Sequence, residues 1–387
     1  MRSLRQEKDE RLNMRVLVTG AKGFVGRNLC LTLEQMPDIG VLKYDHGDEP
    51  KLDGYVAECD FVMHLAGVNR PKDPLEFKTG NTVFTEDILG KLATRPNPPP
   101  VLLSSSIQAA LDNDYGKSKA AAEDAVRAYG EKTGAPIFIY RLANVFGKWC
   151  RPNYNSAVAT WCYNIARDLP ILVRDPAATV TLVYIDDVVR GFISCLYNRE
   201  PCPYTKDGVL MSITPSYTKS LGEIVDLIKS FHNEPKNLMV PNQADDFTKK
   251  LYSTYLAALP EDKFSYPLTM HCDNRGSFTE ALYSAERGQV SVNVSKAGIV
   301  KGQHWHHTKH EKFLVVSGKG EINFRMADDP NAKVITYKVS GEKLEIVRIP
   351  PGYTHNIVNV GDTDMVTLMW ANEIFDPKVP DTFRLNV

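Results

Sequence analysis

Val16-Leu17-Val18-Thr19-Gly20-Ala21-Lys22-Gly23-Phe24-Val25-Gly26 is a short apolar run broken by three glycines, and a helical pattern follows at Leu29, Leu31 and Leu33. An apolar run that does not alternate predicts a strand buried on both faces, as in a parallel sheet. A glycine turn opening straight into a helix offers bare amides to a pyrophosphate. The rhythm recurs downstream. Phe61-Val62-Met63-His64-Leu65, Val101-Leu102-Leu103 and Ile137-Phe138-Ile139-Tyr140 are further buried-strand candidates, and Lys117 to Tyr129 carries helical spacing. From Met14 to about Asn233 the alternation predicts an α/β, Rossmann-like, doubly wound parallel sheet.

At 387 residues the chain exceeds one ordinary domain. Its 43% hydrophobic and 24% charged residues are those of a globular protein and exclude a disordered or fibrous one. Lys plus Arg number 46 against 47 Asp plus Glu, so nothing draws nucleic acid or an anionic membrane broadly to the surface. No apolar run reaches the ~18 residues of a membrane span. Residues 1–13 are charged and read as a leader, not a secretory signal, with the fold starting at Met14. Seven cysteines without a CxxC pair argue against a disulfide framework and for a reducing, cytoplasmic setting.

The expected domains are 14–245, a linker at 246–265 within which Leu251 to Leu259 could form a short helix, and 266–387. After His271 the pattern is strand upon strand: Gln289–Ser295, Lys312–Val316, Glu321–Met326, Val334–Val339, Glu345–Ile349 and Met365–Trp370. That predicts an all-β antiparallel barrel or sandwich.

In the first half, Gly20, Lys22, Gly23, Phe24, Val25 and Gly26 form the candidate dinucleotide turn, with Ala66 and Gly67 after the third strand. Asp45 is either an adenosine-ribose ligand or a loop acid. It favours NADH, whereas Lys22 and Arg27 would meet the extra phosphate of NADPH. Ser104-Ser105-Ser106 ends a strand, and Tyr115 and Lys119 lie one helical turn apart. A tyrosine of pKa ~10 relays protons poorly at neutral pH unless an ammonium assists it, and a serine hydroxyl orients a carbonyl. TGAKGFVG, SSS, YGKSK and RLANVFG together resemble the extended short-chain dehydrogenase/reductases that act on nucleotide sugars. The resemblance implies Tyr115 as acid/base, Lys119 as its partner and nicotinamide-ribose contact, and Ser106 as carbonyl orienter. The short gap to Tyr115 leaves Ser105 as the alternative orienter. The resemblance also places Asn144 of RLANVFG where that family contacts the sugar nucleotide's diphosphate, and Arg151 in Lys148–Asn155 is expected there too, with an aromatic near the uracil.

In the second half, His304 and His306 share one face of a strand, Glu311 follows, and Pro350–Asn359 supplies His355. Imidazoles with a carboxylate suit a divalent metal, zinc foremost. HxHxxxxE and PxGxxHxxxN resemble the two motifs of the cupin superfamily, which implies a β-barrel with His304, His306, Glu311 and His355 as ligands. Asp273-Asn274-Arg275-Gly276-Ser277-Phe278 resembles the DxRGxF segment of nucleotide 4-keto-sugar epimerases. That implies substrate contacts from Asp273 and Arg275, and makes His304 a catalytic base. Both readings of His304 stand.

From Met14 onward the chain resembles the bifunctional epimerase/reductases of bacterial capsular polysaccharide synthesis in the UDP-N-acetyl-L-fucosamine pathway. The resemblance implies a UDP-sugar substrate, C-3 epimerisation in the cupin, then C-4 reduction by NADPH to a talose-configured product. A homo-oligomer, dimer or higher, is expected. Two rivals are a single-activity reductase with a structural metal-binding cupin and a non-catalytic dinucleotide sensor. The intact Ser/Tyr/Lys set argues against the sensor.

Overall fold

The computed structural model describes residues 14–198, 201–205 and 210–387, and the expected leader, 1–13, lies outside them. Two compact units divide the chain: one runs to Ile228 and takes in Lys250–Leu259, the other comprises Lys229–Lys249 and Pro260–Val387.

The first unit is built on five parallel strands: β1 (Met14–Thr19), β2 (Ile39–Tyr44), β3 (Phe61–His64), β4 (Val101–Ser106) and β5 (Ile137–Leu142), ordered β2-β1-β3-β4-β5. Successive residues serve opposite faces. Val16 and Val18 join Leu29, Phe61 and Phe192 in one core, while Leu17 joins Val62, Ile88 and Val126 in the other. Two buried faces make the strand read as continuously apolar, and each such side chain contributes about 1.5–3 kcal/mol. The chain winds to β2 on one side of β1 and to β3 on the other, which opens a crevice beyond the strand ends. A separate small sheet, β6 (Asn144–Phe146), β7 (Thr179–Tyr184) and β8 (Tyr217–Ser220), was not anticipated.

The second unit holds β9 (His271–Asp273), β10 (Gly276–Ser284), β11 (Gly288–Ser295), β12 (Val300–Trp305), β13 (Glu311–Ser317) and β14 (Lys319–Met326). They are followed by β15 (Ile335–Ser340), β16 (Ile346–Ile349), β17 (Tyr353–Asn359), β18 (Met365–Ala371) and β19 (Phe383–Arg384). Two antiparallel sheets, β16-β13-β18-β11-β10-β9 and β15-β14-β17-β12-β19, pack around Phe313, Ile322, Phe324, Ile349 and Ile357. Along β11 the usual pattern is inverted. Gln289, Ser291, Asn293 and Ser295 are buried, while Val290, Val292 and Val294 are partly exposed. The inward groups are satisfied by neighbours: Lys301 Nζ donates to Asn293 Oδ1 at 2.8 Å, and the Phe375 amide donates to Gln289 Oε1 at 2.9 Å.

The domain boundary differs from expectation. The helix allowed for at Leu251 to Leu259 runs instead over Asp246–Leu256, and its Phe247, Leu251 and Tyr255 form a buried stripe. From it Lys250 donates to the Asp187 carboxylate and to the Tyr217 hydroxyl, both at 2.8 Å. Upstream, Tyr283 N donates to Leu238 O at 2.7 Å and Val240 N to Tyr283 O at 2.8 Å, so this segment belongs with the β-unit. Prolines and polar residues mark loops here, but they mask an apolar stripe of helical spacing. No single cut between 245 and 262 separates the units.

Leu251→Ala is expected to cost about 2–4 kcal/mol in urea unfolding, because it empties a fully buried site. A loss below about 0.5 kcal/mol would return this segment to linker status.

Candidate active site and metal centre

Beyond β1, Gly20 has φ +70°, and a Cβ there would meet the Ala66 nitrogen at 2.8 Å. A Cβ on Gly26 would come within 2.1 Å of the Gly20 carbonyl oxygen. The turn therefore admits only glycine at both positions and runs against the loop after β3. Gly23 caps the helix Phe24–Leu33 with no side-chain hydrogen bond and no acid in the first turn. The first-turn amides, Phe24 and Val25 among them, are left for an anion, as a dinucleotide requires.

Asp45 is engaged by backbone. Its Oδ2 accepts from Lys22 N at 2.7 Å and its Oδ1 from His46 N at 2.9 Å. It borders a cavity of about 490 Å³ that Lys22, Arg27, Lys43 and Trp149 also line. Lys22 pairs with Asp48 at 3.7 Å and Lys43 with Glu34 at 2.5 Å. Arg27 has no carboxylate partner among the described residues and stands 5.2 Å from the Trp149 ring centre.

A hydrogen-bonded relay joins the strand ends. Thr19 Oγ1 accepts from Leu65 N at 3.1 Å and Ala66 N at 3.2 Å, so its own proton goes to His64 Nδ1, 2.8 Å away. The His64 Nε2–H then donates to Thr85 Oγ1 at 2.8 Å, and Thr85 donates to the Asn81 carbonyl at 2.6 Å. Asn81 carries the chain onward: Oδ1 accepts from Val68 N at 2.7 Å, and Nδ2 donates to Ser118 Oγ at 2.9 Å. It fastens the loop of Ala66 and Gly67 to the helix that carries Tyr115 and Lys119. A Cβ on Gly67 would lie 2.9 Å from Asn81 Oδ1 and 3.8 Å from Lys119 Nζ. Sequence reasoning missed Asn81, which no local pattern marks.

Asn113 Oδ1 accepts from Gly116 N at 2.8 Å and starts the helix Asp114–Thr133. Tyr115 therefore sits in the first turn and Lys119 in the next. Ser106 Oγ accepts from Gln108 N at 3.2 Å and lies beside the Tyr115 phenol. Ser105 does not face the site. It is buried on the opposite side of the pleat and donates to Glu123 Oε1 at 2.5 Å, where Arg141 donates to both carboxylate oxygens at 2.9 and 2.7 Å. Burial pushes the Tyr115 phenol up, and Ser106 partly offsets it. The expected ammonium assistance is not what shifts the phenol, since Lys119 Nζ donates to the Ser104 carbonyl at 2.7 Å. Burial lowers Lys119 to about 8, against the opposing pull of Glu123. A phenol that keeps its proton is the acid a ketone reduction needs.

Asn144 is exposed on β6 and donates to Thr181 O at 3.2 Å. The Arg151 guanidinium lies 5.0 Å from the Tyr154 ring centre, and Arg70, which sequence reasoning missed, lies 5.9 Å from the same ring. Neither arginine has a carboxylate partner among the described residues. Of the aromatics in Lys148–Asn155, Trp149 stands by Arg27 at the Asp45 cavity, and Tyr154 stands with Arg151.

In the β-unit, donor atoms of His304, His306, Glu311 and His355 all lie within 4.8 Å of one another. Glu311 Oε2 is 3.6 Å from His306 Nε2 and 3.5 Å from His355 Nε2. These three atoms are buried without a hydrogen-bond partner, which is costly unless a ligand takes them up. Two imidazole nitrogens and a carboxylate oxygen converging in this way fit a divalent cation. Burial raises Glu311, but the imidazoles of His306 and His355 outweigh it and hold the carboxyl well below the usual range. Burial lowers His304 to about 4, helped by His355. Asp273 and Arg275, both of which act electrostatically on Lys301 of β12, bind each other. Arg275 donates to Asp273 Oδ2 through Nε at 2.9 Å and through a terminal nitrogen at 2.6 Å, forming an exposed pair.

His64 sets a pH dependence. Burial, reinforced by the charge of Lys119, lowers it to about 3. Between 6.5 and 3 the unfolded chain binds the extra proton, so stability falls as pH drops through this window. By pH 5 the cost is about 2 kcal/mol. His64→Gln should lose less stability than wild type between pH 7 and pH 5 in urea unfolding, by about that amount. Equal losses would refute the assignment.

Residues 16–204 match the NAD dependent epimerase/dehydratase family, and residues 271–383 match the polysaccharide biosynthesis C-terminal domain. Over 383 residues the chain is 46% identical to the UDP-2-acetamido-2,6-beta-L-arabino-hexul-4-ose reductase of Pseudomonas aeruginosa, covering 97% of this chain and 99% of that protein. The crystal structure of the capsular polysaccharide assembling protein CapF from Staphylococcus aureus has a TM-score of 0.88 at 48% identity, over 97% of this chain and 100% of that one. The NAD+ complex of Bordetella bronchiseptica WbmF, 19% identical with a TM-score of 0.54 over 64% of this chain and 93% of that one, shares the fold. Aligned along nearly its whole length and matched in both halves, the chain belongs to the family of capsular polysaccharide nucleotide-sugar reductases that join an NAD dependent epimerase/dehydratase domain to a polysaccharide biosynthesis C-terminal domain.

Proposed function

We propose that the chain acts twice on one UDP-linked 4-keto-6-deoxy-N-acetylhexosamine. The β-unit epimerises C-3, and the first unit then reduces C-4 to give UDP-2-acetamido-2,6-dideoxy-L-talose, in a cytoplasmic homo-oligomer. One observation carries this reading: a single chain holds both a proton-retaining Tyr115 beside Ser106 and a cluster of buried donor atoms without hydrogen-bond partners. No helix among the described residues is long and apolar enough to cross a membrane.

For the reduction, a bound reduced nicotinamide supplies the hydride. Ser106 orients the C-4 carbonyl, and Tyr115 gives its phenolic proton to the oxygen as the new C–H bond forms. Lys119 holds the nicotinamide ribose. NADPH is favoured over NADH because Asp45 spends its oxygens on backbone amides, while Arg27 keeps a guanidinium for the 2′-phosphate. Arg151, Arg70 and Asn144 are assigned to the substrate diphosphate.

For the epimerisation, the C-4 ketone acidifies the C-3 hydrogen, and positive charge near the carbonyl oxygen lowers the cost of the enolate. A divalent cation, zinc foremost, would supply that charge when held by His304, His306, Glu311 and His355. One observation favours His304 as base with three ligands remaining: it alone of the four is partly exposed. Metal retained in His304→Ala with C-3 exchange lost would select the base, and metal lost would select the ligand.

In D2O without nicotinamide, wild type is expected to exchange the C-3 hydrogen of the keto-sugar. Tyr115→Phe should keep that exchange while losing about 10²–10⁴-fold in cofactor oxidation. Wild-type oxidation by the variant would sink the reductase assignment. Absence of C-3 exchange in wild type would leave a reductase carrying a structural barrel.

A further inference from the structure

Between His306 and Glu311 three consecutive amides converge on one carboxylate. Asp381 Oδ1 accepts from His307 N at 2.9 Å, and Oδ2 accepts from Thr308 N and Lys309 N, both at 2.8 Å. The Asp381 carbonyl accepts from His306 Nδ1. The residues that follow extend the pattern. Phe383 and Arg384 pair with Trp305 and His304, Leu385 O accepts from Thr354 Oγ1 at 2.5 Å, and Leu385 N donates to Gln303 O at 3.0 Å. Gln303 holds φ +62°, which few side chains tolerate, and its Oε1 takes the Val387 amide at 2.8 Å. Every imidazole of the cluster is thus held by segment 381–387, through its own backbone, its ring or its chain neighbour.

With Nδ1–H given to a carbonyl, His306 presents the Nε2 lone pair toward Glu311. The same anchoring sets Lys309 Nζ 3.6 Å from Glu311 Oε1, which leaves Oε2 for the cluster. Without the Asp381 carboxylate, three amides lose their acceptor and the span between two ligands is free to relax.

We propose that Asp381 is the positioning residue of this centre and presets its donors for a divalent cation. The inference rests on the metal reading above.

The test uses the full chain as wild type, Asp381→Ala and Asp381→Asn, each stripped and reloaded with zinc or cobalt(II). Chelator competition gives affinity, the cobalt visible spectrum gives ligand geometry, and melting of the metal-free forms gives stability. Asp381→Ala should bind about 10- to 100-fold more weakly, with an altered cobalt spectrum and a metal-free melting point close to wild type. Asp381→Asn keeps one acceptor oxygen and should fall between them; it is the variant to read if the alanine form does not fold. Wild-type affinity and spectrum in the folded variants overturn the role of Asp381 while leaving the metal reading intact. A wild type that takes up no ion removes both.

Discussion

A polar atom taken out of water must find a partner, and the two units meet that demand in opposite ways. In the first, Thr19, His64, Thr85 and Asn81 pass their protons in one direction until the chain closes on Val68 and Ser118. This relay joins the ends of β1 and β3 to the helix of Tyr115, so the crevice walls are set by bonds made inside the protein. In the second, His306 Nε2, His355 Nε2 and Glu311 Oε2 stay open, at about 1–3 kcal/mol each. Poor packing does not explain them, because the same barrel satisfies Asn293, Gln289 and Asn359 nearby.

The contrast also divides the chemistry. Tyr115, packed against Phe77 with ring centres 5.7 Å apart, is shielded enough to keep its proton. Lys119 is shielded more and loses its proton more readily. Burial acts on both in the direction of neutrality, which suits a site that hands a proton to an alkoxide. The barrel instead keeps a carboxylate ionised among imidazoles, an arrangement built to hold positive charge.

What was legible in the sequence was local. The glycine turn, the Tyr115–Lys119 spacing and the two histidine motifs each occupy a few neighbouring residues, where periodicity and residue type suffice. Asn81 with Ser118 spans 37 residues and Asp381 with Lys309 spans 72, and no pattern along the chain announces either. Three serines in a row cannot show which of them turns away into the core until Glu123 is seen across from Ser105. β11 misleads for another reason: its alternation is regular, but the polar residues point inward because Lys301 and the Phe375 amide meet them there. The Asp273–Arg275 pair matched a motif, and the fold adds that the two side chains bind each other.

The threading of the chain between units bears on how the protein is made. Synthesis runs from the amino end, and domains ordinarily fold as they emerge. Here the first unit lacks its last helical stripe until Leu259 has been added, while residues from Lys229 onward have already emerged as part of another body. Leu238 and Val240 then wait for Tyr283 before their amide and carbonyl are paired. Until then the nascent chain carries segments of two unfinished units at once. Two unfinished units therefore share the ribosome from the emergence of Lys229 until that of Leu259.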